Sequence, residues 1–264
     1  MLAADLVASL SPVHFFEECL GFDADPKQEE VLRYEGRRLL LNCTRQWGKS
    51  TVAAAKAYHR GKYTAGQTIL LLSPTLRQSK ELFHRLSQMV TMDPSPPQMV
   101  EDTKLSCTFT NGSRIISLPG SEHSVRGYTA DLIVADEASQ IPDDLFFTIS
   151  PMLAVTGGTL IVMSTPRGRR GFFWRAWEQD KTWEKISVVA WECPRIPDDF
   201  LQEEKTRMQP DWFSQEYECQ FISDEGSLLS EDTIRSAFDA NIRPYFESSS
   251  ALDAEIKPYF TGGA

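Results

Sequence analysis

The chain has 264 residues, 41% of them apolar, and a formal net charge of −10. That length fits one large or two modest domains with a proper core. The charge argues against a dedicated nucleic-acid-binding domain but leaves room for a local basic surface. No apolar run approaches the length of a membrane span, and MLAADLVASL carries no basic residue before its apolar stretch, so neither a span nor a signal peptide is expected. The five cysteines are scattered without a C-x-x-C pair, which suits reduced thiols in a cytoplasmic protein.

Short β-type runs alternate with helical patterns along the chain. Asp25-Pro26-Lys27-Gln28 precedes a helix; the Gln28 amide has the donor and acceptor to pair with an adenine edge, or Gln28 is simply a solvated helix residue. RRLLLNC (37–43) predicts a buried strand, and a helix follows from Lys49 to Lys62, where VAAAKAY supplies strong helix formers. TILLLSP (68–74) predicts a second buried strand, and LRQSKELFHRLSQMV (76–90) an amphipathic helix. SCTFT (106–110), Asn111-Gly112 and SRIISL (113–118) carry a strong hairpin signal. DLIVADEA (131–138) and GGTLIVMSTP (157–166) predict two more apolar strands, each ending in polar residues. Strands this apolar, separated by helices, imply a mostly parallel α/β sheet with helices on both faces. Ligands in such sheets bind beyond the carboxyl ends of the strands, where Asn42–Thr51, Asp136-Glu137 and Ser164-Thr165 would lie.

PRGRRGFFWRAW (166–177) sets four arginines among aromatics. Such a mixture can grip a phosphate backbone, but Phe173 and Trp177 are spaced to share a helix face, and core packing is the favoured reading. From Pro197, PDDFLQEEKTRM and DWFSQEYECQF predict two short helices with prolines near their starts. They suggest a helical lid or linker subdomain over 195–239, after a core over 1–194. Residues 240–264 read as an acidic linker or tail; eight acidic residues against three basic ones fall between 224 and 264.

The chemistry concentrates at Gly48-Lys49-Ser50-Thr51. A strand-to-helix turn ending this way points backbone N–H groups and a helix N-terminus at polyphosphate. Lys49 would neutralise β/γ oxygens, and the Ser50 hydroxyl would bind Mg²⁺. LIVADE supplies the partner carboxylates: Asp136 for Mg²⁺ and Glu137 to orient and deprotonate the attacking water. Taken alone, the pair also reads as an exposed acidic strand end. Ser164 and Thr165 either sense the γ-phosphate and relay its loss, or form a turn before Pro166.

Cys43 stands where the general phosphate-loop pattern asks for glycine. The segment Thr44-Arg45-Gln46-Trp47-Gly48-Lys49-Ser50, then Arg126-Gly127, DLIVADEA, STP and EYECQF, together resemble the ATPase domain of the large terminase subunit, the motor that packages DNA into tailed-phage capsids. The resemblance covers roughly residues 20–239 and accounts for the unusual loop, whose family form is T/S-R-Q-x-G-K-S/T. It implies an ASCE-type P-loop NTPase binding ATP and Mg²⁺. It implies nucleotide contacts from Thr44 through Thr51, with Arg45 near the γ-phosphate in cis and Arg126 as an arginine finger to a neighbouring subunit. For Arg126, an ordinary loop arginine beside Gly127 is the competing reading. Double-stranded DNA, a capsid portal protein, a small terminase subunit and a homo-oligomeric ring are the implied partners, in the cytoplasm of a bacterial host, without a membrane. The family's metal-dependent nuclease domain is not expected within this sequence. Two rival functions remain: a helicase-like DNA-stimulated translocase, and a nucleotide-binding assembly module with little turnover.

Overall fold

Leu39–Leu41, Ile69–Leu72, Leu132–Ala135 and Leu160–Met163 are almost wholly buried, which is possible only for strands covered on both faces. The computed structural model, which describes residues 2–120, 125 and 127–222, places them in the middle of one eight-stranded sheet. The strands are β1 (Arg38–Cys43), β2 (Thr68–Ser73), β3 (Met99–Asp102), β4 (Ser106–Phe109), β5 (Arg114–Pro119), β6 (Leu132–Asp136), β7 (Thr159–Ser164) and β8 (Glu184–Val188). Their order is β3-β4-β5-β2-β6-β7-β1-β8. The six strands from β5 to β8 pair in parallel, and β3 and β4 add an antiparallel edge.

Alternation along each strand sorts side chains onto two faces. Leu39, Leu41, Ile69, Leu71, Leu132, Val134, Ile161 and Met163 share one cluster with Val52, Tyr58, Leu82 and Phe83. These last four come from α4 (Lys49–Tyr63) and α5 (Leu76–Met92). Leu40, Leu70, Leu72, Ile133, Ala135, Leu160 and Val162 share the other with Leu145, Ile149, Phe172 and Phe173. Those come from α6 (Asp143–Ile149) and α7 (Gly171–Glu178). Helices therefore cover both faces, as the apolar strands require.

The hairpin expected around Asn111-Gly112 forms: β4 and β5 pair antiparallel, and Gly112 adopts a φ of 82°. Two strands lack a sequence signal. β3 is a fully exposed MVED, and β8 is a half-buried edge strand whose EKISV mixes charge with alternation. Before the first expected helix lie α1 (Leu2–Leu10) and α2 (Pro12–His14), the latter running into a wide turn over Phe15–Cys19. Phe15 of that arm packs on Tyr58, His59 and Tyr63 of α4, and Lys62 pairs with Asp5 and the buried Asp93.

The helix Pro26–Arg33 is α3. After the sheet come α8 (Asp198–Arg207) and α9 (Pro210–Tyr217). Both helices belong to the same compact unit as the sheet, which extends to Ile222. The remaining part of the expected lid, and the acidic tail, lie outside the described residues. The aromatics of α7 are core: Phe173 and Trp177 both contact Phe221, and Arg175 pairs with Asp143.

Candidate active site

β1 delivers the chain to the carboxyl edge of the sheet, where it must turn sharply into α4. The turn uses two left-handed residues, Gln46 at φ 64° and Gly48 at φ 96°. A Cβ on Gly48 would meet Gln28 Nε2 at 3.1 Å as well as being strained in φ, so glycine is required there. Gly48 O accepts from the Thr51 and Val52 amides at 3.0 Å, which starts α4 directly behind the loop.

Not every loop residue turns to the cleft. Trp47 is fully buried, its Nε1 donating to Asp25 Oδ2 at 2.8 Å and its carbonyl accepting from Gln28 Nε2 at 3.0 Å. Its indole anchors the loop rather than lining the cavity. Thr44 is equally buried: its amide donates to Val188 O at 2.9 Å and its hydroxyl to Glu216 O at 3.0 Å. Gln28 is buried rather than solvated. Its Oε1 accepts from the Asp25 amide at 3.2 Å, completing a capping box, so both ends of the amide are bonded within the chain.

Arg45, Gln46, Gly48, Lys49, Ser50 and Thr51 do line a cavity of about 540 Å³, together with Glu137 and Gln28. That volume suits a nucleotide-sized ligand. Arg45, Lys49, Arg85 and Arg195 face it against the carboxylates of Asp23 and Glu137, a local positive excess in a chain of net charge −10. With the α4 N-terminus pointing in, the cavity favours a polyanion.

Lys49 Nζ lies 3.3 Å from Glu137 Oε1, and Ser50 Oγ donates to Asp136 Oδ2 at 2.7 Å. Asp136 ends the buried strand β6, and its carboxyl is pushed above its ordinary value, first by burial and then by the neighbouring Glu137 charge. Glu137 sits in the left-handed region at φ 51°, a strain of about 1–3 kcal/mol for a residue with a side chain. Its amide donates to Asp136 Oδ1 at 2.9 Å. Ser164 Oγ, at the end of β7, is 3.4 Å from Glu137 Oε2 and 2.7 Å from Ser139 Oγ. Thr165 is buried next to it and does not line the cavity.

A hard divalent cation fits this donor set. Ser50 and Asp136 offer oxygens only, and the buried carboxylate gains from a cation that offsets its desolvation. Ser73 Oγ, on β2 one residue beyond the Leu72–Ala135 pair and so beside the Asp136 position, is buried without a hydrogen-bond partner among the described residues. Such an orphan suits a site completed by ordered water around an ion.

Arg45 is exposed and binds both oxygens of Glu216 on α9, through Nε and, at 3.3 Å, through Nη2. Arg195 reaches the Trp47 carbonyl and lies 3.4 Å from Asp25 Oδ2. Sequence reasoning named Glu216 only as part of the EYECQF segment, without a role at the site, and missed Arg195, Arg85 and the stacked pair Phe16–Phe22, whose ring centroids are 4.8 Å apart. They reach the loop only through the tertiary fold. Arg126 lies outside the described residues.

Comparison with known proteins bears on the family and the fold. A family model described as terminase large subunit, T4likevirus-type, N-terminal, matches residues 40–236. The large terminase subunit of Thermus phage G20c is 23% identical over 258 residues, which cover 84% of this chain and 53% of that protein. The large terminase ATPase domain of Thermus phage P74-26 superposes with a TM-score of 0.68 at 20% identity, over 80% of this chain and 99% of that one. A large terminase from a thermophilic bacteriophage, solved in complex with ATP-gamma-S, superposes at 0.64 with 12% identity, over 76% of this chain and 53% of that one. The chain spans about half the length of the curated relatives it matches.

Proposed function

We propose that this chain, which belongs to the T4-type terminase large-subunit family and matches its N-terminal part, is the Mg²⁺-dependent ATPase that drives double-stranded DNA into a phage capsid. One observation carries the reading. At the N-terminus of α4, Lys49 stands 3.3 Å from Glu137, both lining one cavity with Ser50, whose hydroxyl donates at 2.7 Å to the buried Asp136 carboxylate just behind it.

Each residue then has a role. The loop amides and the α4 terminus hold the phosphates, and Lys49 leaves Glu137 for the β/γ oxygens. Glu137, freed of that partner and positioned by Ser164, accepts the proton of the attacking water. Bound Mg²⁺ would be held by Ser50 and Asp136 and would offset charge on the phosphate oxygens. Arg45 exchanges Glu216 for the γ-phosphate, which couples the nucleotide to α9. The contact from Ser164 to Ser139 gives hydrolysis a path to the turn after β6. Arg126 is the finger offered to the adjacent subunit of a homo-oligomeric ring, and charge of that type is worth about 10³–10⁵ in rate. The portal protein and the small terminase subunit are the remaining partners of this reading, and the bacterial host cytoplasm its place of action.

Phosphate release measured with Mg²⁺, with and without linear double-stranded DNA, tests it. The expected result is Mg²⁺-dependent turnover that DNA raises. Nucleotide binding with no turnover under any of these conditions would leave an assembly module instead of a motor.

A further inference from the structure

Across the cavity from the phosphate loop, α5 presents Gln78 and Arg85, seven residues apart and therefore on one helix face. Buried Ser79, Leu82, Phe83, Leu86 and Met89 hold the opposite face on the core, so this face keeps its aim. Arg85 Nη1 donates to Thr51 Oγ1 at 3.4 Å, and Nη2 lies 3.7 Å from Glu81 Oε1. Both are long contacts. The Glu81 pair is exposed on both sides, and solvent screens pairs of that type so that they contribute little. A guanidinium held so loosely over a cavity exchanges its partners readily for a phosphate, which it binds through two parallel N–H groups.

Thr51 follows Ser50 in the first turn of α4, where a phosphate loop cradles α- and β-phosphates while its lysine reaches the γ end. Among the described residues Arg85 bonds neither Glu137 nor Asp136, so it stands apart from the hydrolytic group. We propose that Arg85 is a nucleotide-binding residue that holds the α-phosphate of ATP and ADP alike. The inference rests on the ATPase reading above and adds to it a binding charge supplied from α5.

Titration of the purified chain with a fluorescent ADP analogue, beside steady-state kinetics, tests it. Arg85→Ala is expected to weaken ADP and ATP by the same factor, about ten- to a hundred-fold. KM rises accordingly, kcat at saturating ATP stays within about two-fold, and melting is unchanged. Arg85→Lys recovers part of the affinity. Should the alanine variant melt early, Arg85→Gln, which keeps the first three side-chain carbons and the helix propensity but no positive charge, carries the same expectation. Wild-type ADP affinity in a folded Arg85 variant, or a fall in kcat with affinity kept, overturns the proposal. A wild-type chain that binds no nucleotide, or a Lys49→Ala chain that binds as well as wild type, overturns the ATPase reading and this proposal with it.

Discussion

Ser50 Oγ donates to Asp136 Oδ2 at 2.7 Å across 86 residues of sequence, joining the first turn of α4 to the end of β6. The bond ties the start of α4 to the carboxyl end of β6, yet one partner is a buried carboxylate with a raised pKa. Ionisation of Asp136 therefore opposes folding. Its contribution to stability is fully present below the ordinary carboxylate value and is lost as pH rises through the raised folded value. Asp136→Asn should melt higher than wild type at neutral pH without ligand, and lose the stabilisation that Mg²⁺ with ADP gives wild type. Thermal denaturation with and without Mg²⁺-ADP checks both halves.

Gly48→Ala places a Cβ 3.1 Å from Gln28 Nε2 at a backbone φ of 96°. The left-handed conformation costs an alanine about 1–2 kcal/mol, and relief would rotate the loop away from its cradle. Nucleotide affinity should fall at least ten-fold while the sheet stays folded, a split that calorimetry and circular dichroism together resolve.

His59 reports on the N-terminal arm. Its ring faces Phe15 at 5.4 Å and Tyr63 at 5.0 Å, its Nε2 meets Ala8 O at 3.0 Å, and Lys56 and Lys62 lie close enough to oppose its protonation. Burial above all holds it down to about 4. The folded pKa is depressed, so stability is present above 6.5 and is lost as pH falls from there towards about 4. A shift of that size corresponds to about 3 kcal/mol. His59→Gln should flatten the acid limb of a melting-temperature profile over this window.

Much of this fold could be read from the sequence, because the strands that define it are buried on both faces and so spell themselves in leucine, isoleucine and valine. β8 escaped because an edge strand needs only Ile186 and Val188 inside, and Glu184, Lys185 and Ser187 fill the rest. β3 escaped because nothing in it is buried. At the site, Lys49, Ser50, Asp136 and Glu137 were legible because their chemistry depends on local order along a strand-loop-helix unit. Trp47 and Thr44 follow the family motif but serve to anchor the loop. Glu216 comes from α9, Arg195 from the segment between β8 and α8, and Arg85 from α5, with no spacing rule linking them to the loop. Only the folded chain brings them there.

Arg45 and Arg126 should separate in mixing experiments. If Arg45 works on its own subunit's nucleotide, an Arg45→Ala subunit fails whatever its neighbours are. If Arg126 works across a subunit boundary, mixing Arg126→Ala with Glu137→Ala should restore part of the activity, since an intact Glu137 site can then receive an intact Arg126. Hydrolysis per subunit should also rise with protein concentration. A flat rate with no rescue removes the trans role.

The most direct test of the central claim is a paired measurement of ATP affinity and single-turnover hydrolysis in Glu137→Ala and Lys49→Ala. Lys49 and Glu137 lie 3.3 Å apart, and the account gives them different tasks, one as phosphate ligand and the other as base. Glu137→Ala should bind ATP as well as wild type and lose hydrolysis by about 10²–10⁴, whereas Lys49→Ala should lose binding itself. Equal loss of binding and turnover in Glu137→Ala, or hydrolysis that survives it, would contradict the account.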